Sequence, residues 1–289
     1  MRIESTVDGL RSALAGATPV CLVPTMGNLH AGHLALVHEA KRHAGATGRV
    51  VASIFVNRLQ FGQGEDFDRY PRTFERDIEQ LKAAGCDLLF APDEAAMYPE
   101  PQVFRVSPDP QLATILEGEV RQGHFEGVCT VVMKLFTIVQ PQVAVFGKKD
   151  YQQLMMIRRM TRQFALPIRI VGHDTVREPD GLAMSSRNGY LDADERREAK
   201  RLSEQLHSFA SAVATLRRDG RCSPERVAAL EQAALADLRS RGWAPDYLTL
   251  RRRSDLLEPS ADQLAGVEAL IVLAAARLGQ PRLLDNLEL

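Results

Sequence analysis

The pattern of apolar and polar positions changes character once along the chain. Up to about residue 175, short runs that are almost wholly apolar alternate with stretches whose apolar residues recur every three or four positions. The short runs are Pro19–Pro24, Val50–Val56, Asp87–Ala91, Val143–Phe146 and Ile168–Val171. Strands without polar alternation, separated by helices, predict a parallel sheet covered on both faces. Helices are predicted over His30–His43, from Pro71 to Gly85, over Val128–Val139 and over Tyr151–Phe164. Pro71 suits a first helical turn and Gly85 a stop. Pro92–Pro110 is proline-rich and is expected to wind over the surface. After about Val176 come two long amphipathic stretches, Asp192–Leu216 and Pro224–Arg241, divided by Asp219-Gly220 with Ser223 as an N-cap. Tyr247–Leu250, Ala269–Ala275 and Leu283–Leu289 then read as strands. The expected class is α/β over 1–175, followed by a smaller α+β domain over 176–289.

Composition narrows the function classes. Lys plus Arg is 36 and Asp plus Glu is 37, for a formal charge of -1. That balance argues against a dedicated nucleic-acid surface, though a local anion site fits inside a neutral protein. Arg251-Arg252-Arg253 reads as a surface patch. Cys21, Cys86, Cys129 and Cys222 are far apart with no CxxC spacing, as expected of reduced core thiols in a cytosolic protein. The longest apolar run, Ala269–Ala276, is 8 residues and too short for a bilayer. Met1–Thr6 lacks the apolar run of a secretory signal. Neither a membrane nor a nucleic-acid partner is expected.

Four segments carry candidate chemistry, and three directly follow predicted strands. In Pro24-Thr25-Met26-Gly27-Asn28-Leu29-His30-Ala31-Gly32-His33, the two histidines are three apart at a helix start and share one face. A helix N-terminus with two imidazoles suits a polyphosphate. The segment is no GxxxxGK[ST] loop. In Phe146-Gly147-Lys148-Lys149-Asp150-Tyr151-Gln152-Gln153, a lysine can bind phosphate, Asp150 can cap the next helix or help hold a metal ion, and Gln153 can point back toward the cleft. Gln60, after the Val50–Val56 strand, can hydrogen-bond a polar substrate. Met184-Ser185-Ser186-Arg187 offers hydroxyls and a guanidinium to a phosphoryl group. No activated nucleophile is evident. Read alone, these residues reach an ATP-using α/β enzyme. A nucleotidyl transferase that leaves the adenylyl group on its product, and a non-catalytic nucleotide-binding protein, stay open.

The motif series goes further. PTMGNLHAGH at 24–33, SIFVN at 53–57, LQF at 59–61, RYPRTFERDIEQL at 69–81, GHFEGVCTVVMKLF at 123–136, FGKKDYQQL at 146–154 and TVREPDGLAMSSRNGYL at 175–191 resemble, in order, the pantothenate synthetase family of the HxGH nucleotidyl-transferase superfamily. The resemblance implies ATP-dependent ligation of (R)-pantoate to β-alanine through a pantoyl adenylate. It implies a Rossmann-like domain with a smaller C-terminal domain as lid, Mg²⁺, and a cytoplasmic homodimer. It places Met26, Gly27, Asn28, Leu29, His30, Ala31, Gly32 and His33 on ATP, with Gly147, Lys148, Lys149 and Asp150 as a second ATP loop. Val176, Met184, Ser185, Ser186 and Arg187 complete that site. Gln60 and Gln153 are placed on pantoate, Gln60 also near β-alanine. The implied catalytic set is His30, His33, Lys149, Ser185, Ser186 and Arg187, and Asp150 is the candidate metal contact. Four positions depart from the family pattern: Arg58 and Gln122 stand for proline, Lys148 for glutamate, and His173 lies in a segment that usually reads GxPTVRE. The added charge of Arg58 and Lys148 is expected to alter KM for ATP.

Overall fold

A computed structural model describes residues 1–289 except 63, 66 and 72, so Arg72 of the 69–81 motif lies outside the described residues. The chain divides into two compact units, Met1–Asp174 and Thr175–Leu289. The first is built on β1 (Arg2–Glu4), β2 (Val20–Thr25), β3 (Arg49–Ile54), β4 (Leu88–Phe90), β5 (Val143–Gly147) and β6 (Arg169–His173). They form a Rossmann-like sheet in the order β1-β4-β3-β2-β5-β6, with every pairing parallel. Cys21, Val23, Val50, Ala52, Val143 and Val145 pack in one core with Leu36, Val37, Ala40 and Ala44 of the Ala31–Ala44 helix. The alternate residues Leu22, Val51 and Ala144 are also fully buried. Burial on both faces is why these strands show no polar alternation.

Three expectations shift. The helix expected from Pro71 runs Phe74–Ala83, with Thr73 in non-helical dihedrals (φ -121°, ψ 47°) at its N-cap. The helix expected from Val128 begins four residues earlier, at His124, after Gly123 in a left-handed conformation (φ 78°). Strand β1 and the Val7–Leu14 helix were not anticipated, and β1 is only three residues with two charged side chains.

The second unit is a smaller α+β body. Its strands β7 (Ala244–Arg252), β8 (Leu270–Arg277) and β9 (Arg282–Glu288) form an antiparallel sheet in that order. Leu202, Leu206, Phe209 and Val213 of the Arg201–Arg218 helix pack with Val227, Ala234 and Leu238 of the Pro224–Ser240 helix and with Leu248, Leu250, Val272 and Ala274 of the sheet. Ser223 caps the Pro224–Ser240 helix, its Oγ accepting from Arg226 N at 3.4 Å. The stretch read as one helix, Asp192–Leu216, is two, Ala193–Glu198 and Arg201–Arg218. Ala199 and Lys200 between them keep right-handed dihedrals, so no glycine or proline marks the break.

Candidate active site

The connections leaving β2 and β5 run to opposite sides of the sheet, β2 to β3 through Ala31–Ala44 and β5 to β6 through Tyr151–Gln163. Ligands of open α/β sheets bind beyond the strand carboxyl ends at such a divergence. Met26–His33 follows β2, Asn57–Gln60 follows β3, and Gly147–Asp150 closes β5 and enters the next helix.

The loop after β2 holds two successive left-handed residues, Gly27 (φ 83°) and Asn28 (φ 50°). A β-carbon at Gly27 would lie 3.1 Å from Ile54 and 3.2 Å from Asp77. The buried Asp77 carboxylate accepts from Asn28 N at 2.8 Å and from Leu29 N at 2.9 Å. The Asn28 side chain accepts from Arg76 at 2.7 Å. The loop amides at 28 and 29 are therefore spent on Asp77, and their part is to shape the turn.

His30 and His33 cap each other's backbone. His30 Nδ1 accepts from Gly32 N at 3.1 Å, and His33 Nδ1 accepts from His30 N at 3.3 Å. The rings lie 4.1 Å apart. A nitrogen that accepts carries no proton, so the neutral rings keep theirs on Nε2. Burial first, then His33 and the Lys149 ammonium, push His30 down to about 3, against a smaller pull from Asp150. Burial likewise pushes His33 down to about 4, with Asp150 opposing and Lys149 assisting. Two neutral Nε2–H donors thus start the helix, and Lys149 and Asp150 lie within electrostatic reach of both.

Lys149 Nζ is 3.8 Å from Asp150 Oδ1. Asp150 occupies the N-cap position of Tyr151–Gln163, but its side chain makes no cap hydrogen bond, contrary to the capping role open to it from sequence. Among the described residues no three His, Cys, Asp or Glu side chains cluster as a metal site. A half-exposed carboxylate such as Asp150 fits only a cation carried mainly by phosphates. Lys148 meets Asp174 at 2.7 Å.

Gln60 sits in a directional chain of hydrogen bonds. Burial pushes Tyr98 up to about 12, so its phenol stays protonated, and it donates to Asn57 Oδ1 at 2.8 Å. Asn57 Nδ2 then donates to Gln60 Oε1 at 3.1 Å and to Gly127 O at 3.1 Å. Gln60 Nε2 is left to the Met26 sulfur at 3.2 Å, a weak acceptor that a substrate oxygen outcompetes. Gln153 is half-buried in the first turn of Tyr151–Gln163. Its neighbour Gln152 is buried and spent on Leu112 O, Ile115 O and Glu117 N. Asn57 and Asp77 had no assigned role in the sequence. Their signal was a polar residue where the pattern demands burial.

A model of the pantoate-beta-alanine ligase family matches residues 2–288. The chain belongs to that family. It is 60% identical over 292 residues to the pantothenate synthetase of Leptothrix cholodnii, covering 100% of both. A crystal structure of pantothenate synthetase from Thermus thermophilus matches with a TM-score of 0.89 at 47% identity, over 100% of this chain and 99% of that one. The Francisella tularensis pantoate-beta-alanine ligase, crystallised with beta-gamma ATP and beta-alanine, matches with a TM-score of 0.76 at 31% identity, over 100% and 97%.

The ligase reaction is an ATP-dependent condensation of pantoate with β-alanine through an adenylate. The other predicted ATP contacts of this ligase lie in the second unit. Val176 and Met184 close a small hairpin, Met184 N donating to Val176 O at 3.0 Å. Arg177 inside it forms a bidentate pair with the buried Asp285 at 2.7 and 2.9 Å and also donates to Gly181 O at 3.0 Å. Ser185 caps the Ser186–Tyr190 turn that carries Arg187, its Oγ accepting from Arg187 N at 3.3 Å.

Proposed function

We propose that the carboxyl ends of β2, β3 and β5 hold pantoate and the ATP α-phosphate, with His30, His33 and Lys149 as the phosphate-facing group. The observation that carries this reading is the pair of imidazoles whose Nδ1 atoms are spent on backbone, leaving two Nε2–H donors beside Lys149. A carboxylate is a poor acceptor for an amine because its leaving group is an oxide. Attack of a pantoate carboxylate oxygen on the α-phosphorus expels pyrophosphate and makes AMP the next leaving group. Negative charge grows on the phosphoryl oxygens in that step, and fixed donors stabilise it without reorganising. His33 acts here as a neutral donor, since burial keeps its ring uncharged. The β-alanine amine then attacks the adenylate carbonyl and AMP departs.

Gln60 presents Nε2–H to pantoate and Gln153 supplies a second amide. The loop residues Met26, Gly27, Asn28, Leu29, Ala31 and Gly32 shape the ATP site, and Gly147 lets the second loop approach. Asp150 would help hold a Mg²⁺ ion brought in with ATP, and such an ion would supply neutralisation of phosphate charge. The family resemblance adds Val176, Met184, Ser185, Ser186 and Arg187 as ATP contacts, and exclusion of water would protect the adenylate from hydrolysis. Among the described residues no helix is long and apolar enough to cross a membrane. With four buried free cysteines, this supports a cytoplasmic enzyme, and the family resemblance supports a homodimer acting on small molecules alone.

The test is product analysis with ATP, Mg²⁺ and pantoate, with and without β-alanine. Pyrophosphate release is expected to require pantoate, and AMP and pantothenate to appear only with β-alanine. His33→Ala is expected to slow adenylation by about 10²-fold or more, the scale of one lost transition-state donor. A loss below about threefold removes His33 from the chemistry.

A further inference from the structure

We propose that Arg121 and His124, braced by Glu65, are positioning residues for Gln60, fixing its main chain while Asn57 fixes its amide. The proposal rests on the reading of Gln60 as a pantoate ligand. It concerns residues to which neither the reaction nor the predicted site assigns a role.

The main-chain oxygen of Gln60 is the convergence point. The buried His124 ring places Nδ1 at 2.9 Å from it, and Arg121 donates to it from 3.4 Å. The other ring nitrogen, Nε2, lies 3.0 Å from the Arg121 guanidinium. A carbonyl only accepts and a guanidinium only donates. The two partners together therefore fix one tautomer, with the proton on Nδ1 and the lone pair on Nε2. This is the opposite tautomer from that of His30 and His33. Burial, reinforced by the Arg121 charge, pushes the ring down to about 4 against smaller pulls from Gln60 O, Glu117 and Glu65. A second ring proton would point at the guanidinium.

Arg121 is held in turn. Glu65 accepts from it twice, at 2.8 and 2.6 Å, in the parallel fork that fixes a guanidinium plane. The helix bearing His124 lies directly against the Gln60 backbone. A β-carbon at Gly127 would run into the Leu59 carbonyl and come within 2.6 Å of Gln60 Cα. Gln60 is thus clamped at its carbonyl by His124 and Arg121 and at its amide oxygen by Asn57. Only its Nε2–H end faces a weak partner, the Met26 sulfur. A short 3-10 turn, Arg58–Gln60, has little rigidity of its own, so the clamp aims the amide.

The experiment is steady-state kinetics on the full chain with Gln60→Ala, His124→Ala and His124→Asn, measuring KM for pantoate and for ATP separately. Gln60→Ala sets the signature of a lost pantoate contact. His124→Ala is expected to raise KM for pantoate on the order of tenfold, as for one lost hydrogen bond, with KM for ATP within about twofold. His124→Asn is expected to recover most of the loss, because an asparagine amide nitrogen can take the place of Nδ1 and donate to the same carbonyl. If His124→Ala does not fold, Arg121→Gln with His124→Asn gives the same split. Ring ¹⁵N shifts of His124 in the folded enzyme are expected to report a neutral Nδ1–H form. The proposal falls if Gln60→Ala raises KM for pantoate and His124→Ala or Arg121→Gln does not, if both KM values rise together without rescue, or if the ring is the Nε2–H tautomer. If Gln60→Ala leaves KM for pantoate unchanged, the reading of Gln60 as a ligand falls first and the positioning role with it.

Discussion

The loop after β2 and the hairpin of the second unit carry two halves of the predicted ATP contacts, and each is held by one buried carboxylate used differently. Asp77 accepts from two successive backbone amides and thereby fixes a turn with two successive left-handed residues. Asp285 accepts from a side chain, Arg177, whose hairpin already has a regular antiparallel bridge between Arg177 and Ala183. In the first case the carboxylate defines a backbone shape. In the second it pins a shape that local pairing has made. The cost of losing each therefore differs in kind.

The largest effect is expected at the ion pair. Asp285→Asn leaves Arg177 partly buried without its charge partner, a change that costs about 3–5 kcal/mol. Urea unfolding followed at Trp243, the chain's 1 tryptophan and a core residue of the second unit, measures it directly. KM for ATP is expected to rise with it, and a loss under about 1 kcal/mol would mean that the hairpin stands on its own pairing. The change at Asp77 is smaller. Asp77→Asn keeps one oxygen but turns an amide N–H toward a loop N–H, costing about 1–3 kcal/mol. Its distinguishing sign is local: faster hydrogen exchange at Asn28 and Leu29, with adenylation slowed more than the fold is weakened. Unchanged exchange there would show that the turn persists without its carboxylate.

Acid separates the same two regions. The three imidazoles held neutral by burial, His30, His33 and His124, all belong to the first unit. Their unfolded forms bind protons below about 6.5, while the folded forms resist until about 3 to 4. Between those values the unfolded state carries more protons. Stability contributed by the neutral rings is therefore complete above about pH 6.5 and lost as pH falls toward 4. Circular dichroism is expected to report loosening at a pH where Trp243 fluorescence still reports a folded second unit. Coincident transitions would mean that the histidines do not set the acid limit.

The strands and the HxGH segment were legible because both depend on local chemistry. A strand buried on two faces must be almost wholly apolar, and paired histidines at a helix start are unusual enough to be read alone. Asn57, Asp77 and Arg177 were not legible as supports. Each is fixed by a distant partner, 70, 49 and 108 positions away, for which the sequence has no periodic signal, although Asn57 also holds Gln60 three positions on. Strand β1 escaped for the converse reason. With two charged residues in three it has no apolar run, and its place is set by pairing with β4. The helix break at Ala199–Lys200 escaped because both residues stay near helical dihedrals.

The smallest effect is expected at Lys148, where the family pattern suggested the opposite. A lysine replacing the usual glutamate in a phosphate loop reads as added attraction for ATP. In the fold its ammonium lies 2.7 Å from Asp174, whose carboxyl is held below the usual range by the Lys148 hydrogen bond and charge. Arg58 is compensated in the same way, 3.7 Å from Glu94 with its guanidinium 3.9 Å over the Phe67 ring. Asp174 is largely exposed, so the pair is screened by water and salt and contributes about 0–1 kcal/mol. That contribution is present above the ordinary aspartate pKa and is lost as pH falls through the lowered one. Lys148→Met is accordingly expected to shift KM for ATP by less than about threefold, roughly the effect of one exposed pair. Titrating KM with added salt separates the alternatives. A tenfold rise in KM for the variant, erased at high ionic strength, would mean that Lys148 leaves Asp174 for phosphate when ATP binds. The first unit would then turn a second cation, next to Lys149 in the chain, to phosphate, and its phosphate loop would be less rigidly built than the clamp around Gln60.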